Sequence, residues 1–210
     1  MALFRGKSSG AEPAAAGARL TRHSSGWSTL AAYLRGQESL RVLDFGPTSA
    51  GNINLITGLG HSIYMSNLVQ DAARPEYVGK DDEGLERFDV VRFLADNLEL
   101  QGRTFDVVTL WDTLDYLPAA LVQPTVDRLC SVMAPGGRLL ALFHSKATGD
   151  ETQFSRYHLT TGDTLDIHRS GGYPLLQTWS NRQVEVLFTA FAGYKFFLAK
   201  DALREVIVTR

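Results

Sequence analysis

The chain has 210 residues, 44% of them apolar and 21% charged, which suits one well-buried domain with at most a small appendage. A formal net charge of -2 excludes a general electrostatic attraction to nucleic acid or to an anionic membrane surface. Cys130 is the only cysteine, so neither a disulfide nor a thiolate metal site can form within the chain. No apolar run approaches the roughly 20 residues of a membrane span. The opening MALFRGKSSG lacks the apolar core of a secretory signal, so the expectation is a soluble, cytoplasmic protein.

Residues 1–25 read as a flexible N-terminal arm ahead of one domain at 26–210. Positions 8–18 are small and break-rich, and Arg19, Arg22 and His23 add local positive charge. From Trp27 to Gln37, Leu30, Tyr33 and Leu34 recur at helical spacing. Leu40, Val42, Leu43 and Phe45 form a short apolar strand that ends at Gly46. A helix opens at Ala50-Gly51-Asn52, carries Ile53, Leu55 and Ile56, and stops at Gly58 and Gly60. Ser62 to Ser66 is the next strand. This is a βαβ crossover, and in open α/β sheets the turn after its first strand is where nucleotide-like ligands bind. Gly46 and Gly51 have P-loop spacing, but Asn52 and Ile53 replace the required lysine and hydroxyl, which excludes that motif. A dinucleotide fingerprint loses its middle glycine to Thr48. A plain βα turn that needs a glycine at positive φ remains open.

Asp44 and Gly46, with Thr48 and Ala50 at the following alternate positions, resemble the first turn of class I S-adenosylmethionine (SAM) methyltransferases, in which glycines are usual at all three positions after the acid. The resemblance implies a ribose contact at the end of strand two. There the family usually has an acid, whereas Asn67 offers one carbonyl acceptor and no charge.

Between 71 and 100, Pro75 breaks the chain and Asp81, Asp82 and Glu83 suit a helix start. Phe88 to Leu94 fits either that helix or the third strand the resemblance requires. FDVVTL from Phe105 is the clearest strand, and it runs into Trp111-Asp112-Thr113-Leu114-Asp115. Val126, Leu129 and Met133 follow at helical spacing, then Pro135-Gly136-Gly137 and a strand from Arg138 to Phe143. Ser180-Asn181 caps a helix toward Phe191, and Lys195–Leu198 with Glu205–Thr209 make a closing hairpin. This order is similar to the fourth and fifth strands and the terminal hairpin of the same family.

The resemblance therefore implies one three-layer α/β/α domain with a seven-stranded, mostly parallel sheet and an antiparallel C-terminal strand hairpin. It implies SAM as cofactor, held by Asp44, Gly46, Pro47 and Thr48 at the first turn and by Asn67 after strand two. Asp96 and Asn97 would lie before the fourth strand, with Trp111 and Asp112 after it. The expected activity is methyl transfer to a small-molecule acceptor, with no metal, no nucleic acid and no membrane partner. A hydroxyl acceptor needs a base, for which His144 and Asp112 are the candidates, with Asp115 beside them. Residues 144–180 are the substrate-facing insert, and Tyr157 or Trp179 should line a cavity beside Gly46 and Trp111. The missing glycines and Asn67 motivate an alternative, a catalytically inactive ligand-binding or interaction protein of the same fold. A parallel final strand would instead favour a nicotinamide oxidoreductase.

Overall fold

The structure is a computed structural model that describes residues 19–147, 153–170, 172–199 and 201–210. The strands along the chain are β1 (Arg19–His23), β2 (Arg41–Phe45), β3 (Ser62–Ser66), β4 (Val78–Lys80), β5 (Glu86–Phe88), β6 (Phe105–Trp111), β7 (Met133–His144), β8 (Ser155–Leu159), β9 (Thr164–Arg169), β10 (Gly193–Phe197) and β11 (Leu203–Thr209). The helices are α1 (Ser25–Arg35), α2 (Ala50–Gly58), α3 (Leu68–Ala72), α4 (Val90–Leu98), α5 (Ala119–Val132) and α6 (Asn181–Leu187). None of them is long and apolar enough to cross a membrane.

The main sheet has the order β10-β11-β7-β6-β2-β3. β2 runs parallel to β3 and β6, and β6 parallel to β7, while β11 is antiparallel to both β7 and β10. An antiparallel last strand is the expected terminal hairpin, and not the parallel strand that would favour a nicotinamide oxidoreductase. Successive strand residues point to opposite faces. Val42, Val107, Leu140, Leu142 and Ile207 therefore enter one core with Trp27, Leu30 and Leu34 of α1 and Ile56 of α2. Leu43, Val108, Leu139, Phe143, Val206 and Val208 enter the other, against side chains of α3, α4, α5 and α6. Apolar cover on both sides explains why these strands read as unbroken apolar runs.

Two expectations need correction. The main sheet has six strands among the described residues, because the segment expected to give strand three does not join it. β4 and β5 form a separate hairpin, and the acidic cluster is its turn rather than a helix start. The Asp81 carboxylate accepts from the backbone N–H of Glu83 and Leu85, and Gly84 takes φ +79°. Asp89 then caps α4 through Arg92 N–H, which commits the next residues to helix. Phe88 packs with Tyr77 and Phe93 instead of extending the sheet.

The arm is the second correction. Residues 1–18 of it lie outside the described residues, but Arg19–His23 forms β1, which pairs antiparallel with β9 in a three-stranded sheet of order β1-β9-β8. Arg22 fastens β1 to the domain. Its five N–H donors go to both oxygens of Asp201, to Glu205, and to the carbonyls of Leu203 and His23. Glu205 is buried and also accepts the Gly26 N–H at 2.6 Å, so one carboxylate serves β1 and the start of α1 together. Glu205→Ala should cost about 2–4 kcal/mol, since it leaves a buried donor and part of a buried cation unmet. Urea unfolding of the variant against the parent chain measures this.

Candidate functional site

The site is built on Asp44, at the carboxyl end of β2 and 1% exposed. One carboxylate oxygen accepts from Thr109 Oγ1 at 2.7 Å and from Trp111 Nε1 at 2.6 Å. The other accepts from Asn52 Nδ2 at 3.0 Å. Burial pushes the Asp44 pKa up, and these three donors oppose it. Gly46 follows, and it does not use the left-handed backbone that a plain glycine turn would explain. Its missing side chain matters for space instead. A Cβ there would stand 3.4 Å from the Trp111 ring, so the indole lies directly against the bare backbone of the turn.

Trp111 reaches that position at a backbone cost. It has φ +51°, and the β6–β7 register shifts between Thr109 and Trp111. A bulge re-aims a side chain, and a non-glycine residue in this region carries about 1–3 kcal/mol of strain. The ring stacks on Tyr157, with centroids 5.0 Å apart and planes 9° from parallel. Tyr157 belongs to β8, which α2 clamps from the side. Asn52 donates to the Tyr157 carbonyl at 3.0 Å and accepts from Leu159 N–H at 2.8 Å, filling the open edge of β8. Ser49, the N-cap of α2, lies 2.8 Å from His158 Nδ1. Burial, with help from His168 and Arg156, holds the His158 pKa below its ordinary value.

Behind the stack lies a buried group of titratable side chains. Tyr157 OH donates to Asp112 at 2.8 Å, and one Asp115 oxygen accepts the His144 backbone N–H at 2.7 Å and lies 2.7 Å from His144 Nδ1. Asp112, Asp115 and His144 are each at most 1% exposed. Burial raises the Asp112 pKa to about 6, against the lowering pull of His144 and the Tyr157 hydroxyl. It raises Asp115 to about 7, where the His144 hydrogen bond lowers it and the Asp112 charge adds to the rise. Burial thus holds both carboxyls well above the ordinary carboxylate range.

The expected site residues divide. Asp44, Gly46, Pro47, Trp111 and Asp112 line one small space together with Tyr157, so the insert does supply an aromatic wall beside the first turn. His144 does not line it and is bonded to Asp115 instead. Trp179 lines a separate groove between α5 and α6. Thr48 is exposed and does not line the space. Asn67 does stand at the end of β3, but as the N-cap of α3, accepting from Gln70 N–H and donating to its side chain. Asp96 and Asn97 lie on α4, where both bond Tyr77 OH and neither lines the space. Asn52 and Thr109 were not foreseen. Thr109 had a legible signal, since a lone hydroxyl in an apolar strand must find a partner when buried.

No known protein family and no curated protein matches the chain. Solved structures do. It is similar to the PH0226 protein of Pyrococcus horikoshii over 86% of this chain and 85% of that one, at 12% identity and a TM-score of 0.51. The likeness is one of fold. Other matches include magnesium protoporphyrin IX methyltransferase of Synechocystis with bound S-adenosylhomocysteine, at 13% identity over 88% of this chain and 81% of that one, with a TM-score of 0.49. Another is a 1,6-didemethyltoxoflavin-N1-methyltransferase of Burkholderia thailandensis, at 13% identity over 89% and 77%, with a TM-score of 0.45.

The cradle can be tested against the SAM that the resemblance implies. In kind the residues suit it: a carboxylate and a bare glycine backbone at the carboxyl end of a parallel strand. In space they do not, because the room left is about 10 Å³, whereas small-ligand pockets begin near 300 Å³. SAM does not fit while Trp111 and Tyr157 stay stacked.

The buried acids give a pH signature. A carboxyl whose pKa is raised on folding holds its proton more tightly in the folded state. Its stabilising share is full below about pH 4 and is lost as pH rises through about 6 to 7. The melting temperature should fall over that window, and Asp115→Asn should fall less steeply, which paired melting curves from pH 4 to 8 would measure.

Proposed function

We propose that this chain transfers the methyl group of S-adenosylmethionine to a small-molecule acceptor, and that it does so only after the Trp111–Tyr157 stack has left the cradle. Trp111 carries the reading. A strained, bulged residue that fills a bare glycine turn at the carboxyl end of a parallel sheet has the marks of a functional position. With the indole withdrawn, Gly46 would face open space and Asp44 would keep the Asn52 and Thr109 donors while gaining room for a ligand. Asp112, which lines the space, would then stand as the base for a hydroxyl acceptor, with Asp115 and His144 bonded to each other behind it.

A second reading, a catalytically inactive protein of this fold, draws support from two observations. Asp44 already accepts three hydrogen bonds from Asn52, Thr109 and Trp111, and Asn67 is occupied as a helix cap. Calorimetry with SAM and with S-adenosylhomocysteine separates the readings. Trp111→Gly removes the ring and relieves the positive φ, so it should bind either ligand at least tenfold more tightly than the parent chain. Labelled SAM with a metabolite panel should then yield a methylated product. No binding by either protein would favour the inactive reading, and equal binding by both would mean the stack is no barrier.

A further inference from the structure

A larger space lies on the far side of Tyr157. A cleft of about 310 Å³ separates the β1-β9-β8 sheet from the start of β11. Ser155 and Tyr157 line both this cleft and the small space at Gly46. Leu20, Tyr157, Ile167 and Leu203 give it an apolar wall, and Leu20 remains 45% exposed there. The cleft sits beside Leu203, which pairs with His144 at the carboxyl end of β7, the end at which open α/β sheets take their ligands.

We propose that this cleft binds an uncharged aromatic molecule of one or two rings. The charged groups in its lining are already committed. Arg22 has all five donors engaged, and both Asp201 oxygens hold Arg22. Arg169 has a partner of its own. A charged ligand would therefore lose its water and find no free counter-charge. Apolar contact remains, together with the Tyr157 ring, and aromatic pairs gain beyond the area they bury. The volume stands at the lower end of small-ligand pockets, which suits one or two rings and not a nucleoside cofactor. The site stands on the cleft alone. If the methyl-transfer reading holds as well, it also names the acceptor class.

The test uses the full chain without SAM, so its result is independent of cofactor binding. The probe is 6-fluoro-2-naphthol, titrated and followed by fluorine NMR. Saturable broadening is expected, with nuclear Overhauser contacts from the probe to the Leu20 and Ile167 methyl groups. The charged analogue 6-fluoro-2-naphthoate should bind at least tenfold more weakly. Leu20→Trp, which fills the cleft from an exposed position, should weaken the naphthol at least tenfold. Val186→Trp, in the groove between α5 and α6, should leave it within twofold. The proposal is overturned by a wild-type chain that shows no saturable binding or no contacts to Leu20 and Ile167. Naphthoate binding as tightly as naphthol, or Val186→Trp abolishing binding, would overturn it equally.

Discussion

A buried carboxylate must be supplied with donors, and the arrangement around Asp44 follows from that demand. Desolvation alone would leave the group protonated or the fold weakened. Thr109 is placed by the next strand, β6, while Asn52 comes from the helix that the same βα turn launches. The third donor, the Trp111 indole, can reach only because β6 bulges and the residue turns to positive φ. One charge at the end of β2 thus recruits a strand, a helix and a strained aromatic.

Asn52 passes the constraint on. Its amide serves Asp44 and the β8 backbone in opposite directions, so the small sheet is registered on the same carboxylate that anchors the cradle. Because β8 is the edge of that sheet, its unpaired backbone groups need cover, and a single amide provides it. Tyr157 then arrives stacked on Trp111, with its hydroxyl on Asp112. Hydrogen bonds and one ring stack thus join the cradle, β8 and Asp112.

Much of the fold was legible in the sequence because local signals and global packing agree there. The apolar runs from Val42, Phe105 and Arg138, the Ser180 cap and the terminal hairpin all fall where periodicity and turn residues put them. The region after Pro75 was not legible. Its acidic cluster suits a helix start by charge, but Asp81 uses its carboxylate to close a turn, and only the packing of Phe88 on Tyr77 and Phe93 settles which. At the site, Asp44, Gly46, Trp111 and Asp112 could be named from the motif. What fills the cradle could not, since a residue's φ and the path of a hairpin more than a hundred positions away leave no local trace. Asn67 and Asp96 show the converse, as polar residues at family positions that capping and a tyrosine hydroxyl have claimed.

The clamp joins Asn52 to residues 105 and 107 positions further along the chain. Contacts of that span carry a large loop-closure entropy cost, which slows their formation. On the ribosome, β2, α2 and β3 emerge long before β8 exists. For that interval the Asn52 amide lacks its hairpin partners, and the ring that ends up against Gly46 has no Tyr157 to rest on. The cradle therefore cannot close until the chain has been made as far as Leu159, well beyond the strand and helix that frame it.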